Sequence, residues 1–261
     1  MASAQQLAPS LPKSRHDLVV IAHRGSHLVK PENTIAAVED AILLGADYVE
    51  IDLRTTLDGH LVLCHNEDVD KTTNGKGRIR DLKLAEVEQL LVNSKDGGVY
   101  KIPVFAEVLN ACKNKINIYL DFKDADAEQA YREIKAAGME KQILVYLNKA
   151  SQYAAWKKTA PAMPLMTGLS ENIRTKEDLE AFLGKISLQA TDRLNDQNLL
   201  PALKENKVSV FLDVQNKQEG ASQWQAAINK GVQGLQTDHP AALIQYLKDN
   251  NLRQTNVTPV K

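Results

Sequence analysis

Glu50-Ile51-Asp52 puts two carboxylates at positions i and i+2 of an apolar run, Tyr48–Arg54. If that run is a β-strand, both carboxylates point to one face. Like charges facing the same way repel unless a cation, a proton or an Arg/Lys side chain stands between them. A hard divalent cation such as Mg²⁺ or Ca²⁺, which takes oxygen ligands, answers this directly. A salt-bridge cluster with Arg24, Arg54 or Lys123 answers it without a metal. Asp121-Phe122-Lys123 repeats the spacing on a later run. Asp121 is therefore a candidate third metal oxygen, and Lys123 a candidate to meet a phosphate oxygen or neutralise a carboxylate. His23-Arg24-Gly25 closes the first apolar run. It offers an imidazole for acid–base work, a planar guanidinium fork for phosphate, and a residue that lets backbone approach a ligand. His65 closes another short run, so two imidazoles are available, one to take a proton and one to give it near neutral pH. A structural His–Arg pair and a solvated loop His are the bland alternatives. His16, His27, His60 and His239 lack a matching carboxylate pattern and are not candidates. One metal site, two histidines, Arg and Lys together make a set suited to phosphoryl transfer.

These groups need a scaffold that brings distant runs together. Candidate strands are Val19–His23, Tyr48–Arg54, Ile116–Phe122, Ile143–Leu147, Leu165–Gly168, Ile186–Ala190, Val208–Val214 and Gly234–Thr237. Amphipathic stretches separate them at Thr34–Leu44, Ala127–Ala137, Ser151–Lys158, Lys176–Leu183, Asn195–Glu205, Ala221–Lys230 and Pro240–Lys248. Ser151 and Asn195 or Asp196 are candidate N-caps, and Gly45, Gly138 and Gly231 are placed to close helices. Strands alternating with helices imply parallel pairing, and eight such units imply an α/β fold of the (β/α)8 barrel (TIM barrel) type. The alternative, an open doubly wound sheet, normally carries a glycine-rich phosphate turn, and no G-x-G-x-x-G or Walker sequence is present. One connection breaks the rhythm. Residues 57–114 form an insertion between the second and third barrel strands, with Asp58-Gly59 as a turn, a short returning strand to His65, and a short helix around Leu84–Leu91. Long insertions are usually functional, and barrel active sites lie on the βα loops, so this one is expected over the mouth. Asp213 interrupts the seventh strand. Asp238, just before His239-Pro240, reads as a helix N-cap with Pro at the first helical position.

The chain has 261 residues, 43% hydrophobic and 25% charged, with a formal net charge of -1. That accommodates one barrel domain over residues 18–261, behind a loose Pro/Ser/Gln-rich leader at 1–17. No Lys/Arg run points to nucleic acid, and no apolar run is long enough to span a bilayer. Cys64 and Cys112 read as small buried hydrophobes. Ala2-Ser3-Ala4 fits the tail of a signal-peptidase site, which favours a periplasmic or secreted protein whose signal has been trimmed; a cytoplasmic protein with a polar N-terminus is the alternative.

From Val20 to Pro240 the chain resembles the glycerophosphodiester phosphodiesterase family. The resemblance is carried by Ala22-His23-Arg24-Gly25, Pro31-Glu32-Asn33-Thr34, Glu50-Ile51-Asp52, Thr56-Leu57-Asp58-Gly59, Val62 and His65. Thr72-Thr73-Asn74-Gly75, Ile102-Pro103 and the closing Thr237-Asp238-His239-Pro240 continue it. Each motif is common, but their order and spacing together are specific. The resemblance implies a (β/α)8 barrel with the insertion over its mouth. It implies His23 and His65 as the acid–base pair, Glu50, Asp52 and Asp121 as metal ligands, and Arg24 and Lys123 on the phosphate. It implies a divalent cation, Ca²⁺ or Mg²⁺, and release of glycerol 3-phosphate and an alcohol such as choline or ethanolamine. It further implies attack by the glycerol 2-hydroxyl on phosphorus, through a cyclic phosphate that water opens. Its partner is a small glycerophosphodiester of lipid and glycerol metabolism, without nucleic acid or stable membrane insertion; oligomeric state is left open.

Three departures stand out. The family usually has Glu where this chain has Asp121, His-Asp where it has His65-Asn66, and a Trp near the end of the seventh strand where it has Val210-Phe211-Leu212-Asp213. They bear on substrate choice more than on reaction class. Three other readings compete: a phosphodiesterase of larger substrates (lysophospholipase D-like), a phospho-ligand-binding barrel without turnover, and a sugar-processing barrel. Two histidines argue against the second. The third needs carboxylates flanking a bond, and Glu50 and Asp52 share one strand.

Overall fold

A computed structural model describes residues 9–254. The elements run in the order β1 (Val19–Ala22), α1 (Ile35–Leu44), β2 (Tyr48–Thr55), β3 (Leu61–Leu63), α2 (Leu84–Val87), α3 (Phe105–Cys112), β4 (Asn117–Phe122), α4 (Ala127–Ala137) and β5 (Ile143–Leu147). They continue as α5 (Ala150–Thr159), β6 (Leu165–Met166), α6 (Lys176–Leu183), β7 (Ala190–Thr191), α7 (Leu200–Glu205), β8 (Ser209–Asp213), α8 (Ala221–Asn229), β9 (Gly234–Thr237) and α9 (Pro240–Asp249). Eight strands pair in parallel from β1 through β2 and β4 to β9, and β9 pairs back to β1, closing the barrel. The ninth, β3, returns antiparallel on β2.

Alternation along each strand sends one set of side chains inward and the other toward the helices. Val19, Ile21, Tyr48, Tyr119, Leu144, Met166, Ala190 and Phe211 fill the barrel interior. The fit leaves no space at Gly234, where a Cβ would lie 2.6 Å from both Phe211 and Val19. Outward residues pack against the helical ring in two larger clusters. Gly45 and Gly138 end α1 and α4 in left-handed conformation, as their positions predict.

The interval 57–114 is not all insertion. Its last part is α3, which takes the place of the ring helix between β2 and β4 and packs against α1 and α4. The remainder has a small core of its own, built on Val62, Val69, Ile79, Val87 and Ile102. Ser151 is not a cap, because α5 begins one residue earlier and Gln152 Oε1 accepts the Asn148 and Lys149 amides at 2.7 and 3.0 Å.

Residues 1–8 of the expected leader, including Ala2-Ser3-Ala4, lie outside the described residues. Residues 9–17 lie across the N-terminal end of the barrel. Tyr48 Oη donates to the Pro12 carbonyl at 3.1 Å and Asn117 Nδ2 to the Lys13 carbonyl at 2.9 Å. Both cysteines are free and buried, and burial pushes each thiol up to about 12. Among the described residues no helix is long and apolar enough to cross a membrane.

Candidate active site

The strands deliver their last inward residues to the C-terminal mouth, where a cavity of about 350 Å³ opens. β2 and β4 are in register with Asp52 beside Asp121, and Glu50 one inward position deeper. Ligand atoms of Glu50, Asp52 and Asp121 all lie within 4.8 Å of one another, the convergence that the i, i+2 spacing predicts. The backbone of Arg24 is left-handed, with φ 52°, and its amide donates to Glu50 Oε2 at 2.7 Å. Asn33 clamps Asp52 twice: its Nδ2 donates to Oδ2 at 2.7 Å and its Oδ1 accepts the Asp52 amide at 3.1 Å. Lys123 Nζ pairs with Asp121 Oδ2 and lies 3.0 Å from Asp52 Oδ1. That second approach makes Lys123 the one charged neighbour of Asp52 Oδ1, on a fully buried side chain whose other oxygen is held by Asn33.

The electrostatics follow. Burial, then the charges of Asp52 and Asp121, push the Glu50 carboxyl well up. Burial acts the same way on Asp52, but Lys123, His65, Arg24 and the Asn33 hydrogen bond outweigh it and hold that carboxyl below its usual range. Three close carboxylates with a single lysine between two of them are a donor set that fits a hard divalent cation. His23, His27 and Asp238 form a second group with metal-ligand spacing, but their facing atoms are already engaged with one another.

The two predicted histidines reach the same cavity by different routes. His23 follows β1, and its Nδ1 lies 2.6 Å from Asp238 Oδ1 at the end of β9. A carboxylate only accepts, so Nδ1 carries the proton and Nε2 is free. Asp238 is thus not the expected N-cap; His239 takes that position without a side-chain bond. Burial would raise the Asp238 carboxyl, but the His23 hydrogen bond and the His23, His27 and Arg24 charges lower it. His65 follows β3, and its Nδ1 lies 3.0 Å from Asn66 Oδ1, so Asn66 fixes the same tautomer that an Asp would. Arg54 holds the backbone of that loop, donating from Nη2 to the His65 carbonyl at 2.7 Å and from Nη1 to Asp124 at 2.7 Å.

Arg24 turns its guanidinium to the site, with Nη1 donating to Glu32 at 3.1 Å and Nε 3.6 Å from Asp52. Gly25, expected to let backbone approach a ligand, instead lets α1 approach: a Cβ there would sit 2.7 Å from Ala37. His27 was not expected near a carboxylate, yet its Nε2 is 3.5 Å from Asp238 while its Nδ1 donates to the His23 carbonyl at 2.7 Å. His16 likewise meets Asp47, 2.6 Å away, but at the opposite end of the barrel.

The far side of the cavity, on β5 and β7 to β9, was largely missed. It carries Tyr146, Asn148, Asp192, Asp213, Gln215 and Gln236. Asp213 is open to solvent through the mouth but enclosed by protein elsewhere. Burial, followed by the Asp192 and Asp121 charges, pushes it up to about 7. Asn148 Nδ2 donates to Asp121 Oδ1 at 2.6 Å and so ties this wall to the carboxylate trio. Glu219, also missed, accepts from Trp224 Nε1 at 3.0 Å and from the Asp238 amide at 3.2 Å, and pins the strand end that presents Asp238. A signal for the wall was present: Tyr146/Asn148, Asp213/Gln215 and Gln236/Asp238 all repeat the i, i+2 spacing.

A parallel barrel whose C-terminal mouth gathers two histidines, an arginine, a lysine and a carboxylate trio has the make-up of barrel enzymes that process phosphate esters. The sequence profile of the Glycerophosphoryl diester phosphodiesterase family matches residues 23–242, and the chain belongs to that family. It is 32% identical over 244 residues to a glycerophosphodiester phosphodiesterase of Caldanaerobacter subterraneus subsp. tengcongensis, covering 88% of this chain and 98% of that one. The fold resembles the crystal structure of a glycerophosphodiester phosphodiesterase from Agrobacterium tumefaciens, with TM-score 0.75, 20% identity, and 87% and 99% of the two chains covered. It also resembles an Oleispira antarctica phosphodiesterase solved with its product sn-glycerol-3-phosphate, with TM-score 0.73, 23% identity, and 88% and 96% covered.

Proposed function

We infer that this chain hydrolyses glycerophosphodiesters to glycerol 3-phosphate and an alcohol, using a divalent cation, Ca²⁺ or Mg²⁺, and His23 and His65 as the acid–base pair. Hydrolysis of glycerophosphodiesters is the activity of the family to which the chain belongs, and the Oleispira relative holds its product. The observation that carries the residue assignment is the convergence of Glu50, Asp52 and Asp121 beside two imidazoles whose Nδ1 atoms are both engaged.

Glu50, Asp52 and Asp121 would hold the cation, which supplies charge neutralisation for phosphate oxygens when bound. Arg24 and Lys123 orient the phosphate; both cations are held in their charged form by neighbouring carboxylates that outweigh burial. His23 has a carboxylate behind it, which stabilises an imidazolium, so it takes the proton from the attacking glycerol 2-hydroxyl. His65 acts as the acid in its imidazolium form, with Nδ1–H held by Asn66 Oδ1 and the Nε2 proton given to the departing alcohol, which leaves the neutral Nδ1–H ring. The roles reverse when water opens the cyclic phosphate.

The test is release of glycerol 3-phosphate from glycerophosphodiesters with Ca²⁺, Mg²⁺ or EDTA. Metal-dependent release that EDTA abolishes supports the reading. Release unaffected by EDTA would remove the metal from it.

A further inference from the structure

Five carboxylates line the cavity: Glu50, Asp52, Asp121, Asp192 and Asp213. A divalent cation at the trio, with Arg24 and Lys123, offsets four of those charges and sits on the side of β1, β2 and β4. Asp192, one residue past β7, and Asp213, the last residue of β8, form no ion pair with any Lys, Arg or His of the described residues within 4.0 Å. They do not form a third metal-spaced group with any neighbour either. A phosphodiester adds a further negative charge.

The hydrogen-bonding inventory of this wall points the same way. Asp192 has the Tyr146 hydroxyl beside it as a hydrogen-bond donor and the Arg193 charge nearby, so its unmet capacity is confined to Oδ1, which has no partner although a Cβ at Gly168 would lie 2.9 Å from it. Gln236 sits beside Asp213 in the β8–β9 register and lines the same cavity. Its side chain is buried, with only 6% of the residue exposed, and its Oε1 has no partner. An ionised carboxylate accepts and never donates. Buried acceptors left without donors are costly unless a ligand supplies them. The complement is a group that is positively charged and carries several N–H bonds. A primary ammonium has three. A quaternary ammonium has none and is held by aromatic faces. Here only Tyr119 and Tyr146 are at hand, tilted against each other with centroids 5.7 Å apart.

We propose that Asp192, Asp213 and Gln236 form a subsite for a primary ammonium group on the alcohol half of the substrate, so that the enzyme favours ethanolamine-type diesters over choline-type and neutral ones. This rests on the hydrolase reading above and deepens it. The acidic wall opposes the phosphate-binding side, so a diester spanning the cavity presents one end to each.

The experiment measures kcat/KM of the metal-loaded protein for glycerophosphoethanolamine, glycerophosphocholine and glycerophosphoglycerol. The expected preference for the first over each of the others is roughly tenfold to a hundredfold, the worth of a charge-assisted hydrogen-bond set. Asp192→Asn and Asp213→Asn should each lower the ethanolamine-to-glycerol ratio about tenfold. The ratio is taken within one preparation, so any unfolded fraction cancels. In the wild-type protein, free ethanolamine should inhibit competitively at concentrations where tetramethylammonium does not. Equal or better turnover of the choline diester overturns the proposal, as does a ratio unchanged in both variants. Equal losses on all three diesters would assign the wall to the glycerol they share, which also overturns it. Absence of turnover on every diester has a different signature: it removes the hydrolase reading, and the subsite with it.

Discussion

Asp47, one residue before β2, and Asp52, within β2 toward the mouth, are buried carboxylates that are treated in opposite ways. Asp47 lies at the closed end. Its Oδ1 faces His16 Nδ1 at 2.6 Å and accepts from Ser14 Oγ at 2.9 Å, while its Oδ2 accepts the Val20 amide at 2.9 Å and pairs with Arg253 at 3.1 Å. Both of its oxygens are engaged by the protein, and the result ties residues 14–16 and Arg253 to the barrel floor. Asp52 lies at the mouth. Its Oδ2 is held by Asn33, and its Oδ1 has Lys123 as its one charged neighbour. Burial costs both groups desolvation. At the floor that cost is offset by internal partners, and the yield is stability. At the mouth an oxygen is kept available for a ligand, and the yield is chemistry. A buried acid is therefore read by its unspent hydrogen-bonding capacity rather than by its burial.

The largest expected effect is at the mouth. His23→Ala should lower kcat by roughly 10²–10⁴, the usual contribution of a general acid or base. Thermal stability should stay near wild type, since His23 fills no part of the apolar interior. A variant that keeps wild-type turnover would break the assignment. Asp47→Ala is the counterpart at the floor. It strips the carboxylate from Arg253, which keeps only the Gly45 carbonyl at 2.6 Å and whose side chain is only 2% exposed. Breaking a buried pair from one side costs about 3–5 kcal/mol, so the midpoint of thermal unfolding should fall on the order of 10 °C. The folded fraction should turn over substrate at the wild-type rate. If the rate per folded molecule also fell, the two ends would not be independent.

The sequence showed the mouth better than the floor, for a physical reason. Glu50/Asp52 and Asp121/Lys123 are pairs on single strands, and strand geometry alone sends each pair to one face. The eight strands were legible as β-branched runs, although β6 shrinks to two residues and β7, Ala190–Thr191, overlaps its expected run Ile186–Ala190 only at Ala190. Pairings across the barrel had no local trace. His23 and Asp238 are 215 residues apart and meet only because β9 closes on β1. The barrel type implied that closure but not which side chains it would bring together, so a Pro after Asp238 made a cap the natural reading. Helix α3 was overlooked because it follows the inserted segment without a turn signal of its own. His16 and Asp47 carry no shared spacing, so the floor cluster could be found only in three dimensions.

Asp52→Asn sharpens the comparison at a middle magnitude. It removes one negative charge from the trio while keeping the shape and an oxygen for Asn33. Half-maximal activation should need at least on the order of 10- to 100-fold more Ca²⁺ or Mg²⁺, the loss already seen when only an outer partner of a metal ligand is removed. In EDTA the variant should unfold at a temperature no lower than wild type. This is the opposite of Asp47→Ala, and a large drop in stability would place Asp52 with the floor group.

The smallest effect concerns Asp213, where the same contrast appears as a pH dependence. Its carboxyl is pushed up to about 7 by burial and by Asp192 and Asp121. The unfolded chain has an ordinary carboxyl near ~3.9. Between those values the folded state holds the proton and the unfolded state has lost it. The folded state then binds more protons, so stability declines as pH rises through this window. Because the mouth admits solvent at Asp213, the decline is modest. Asp213→Asn should flatten it in EDTA, leaving the part due to Glu50, which is raised by the same causes of burial and like charge. Thermal midpoints at pH 4.5, 6 and 7.5 for both proteins read the difference directly. A variant whose midpoints track wild type at all three would mean that Asp213 carries no strain, and that the far wall spends its charges as fully as the floor does.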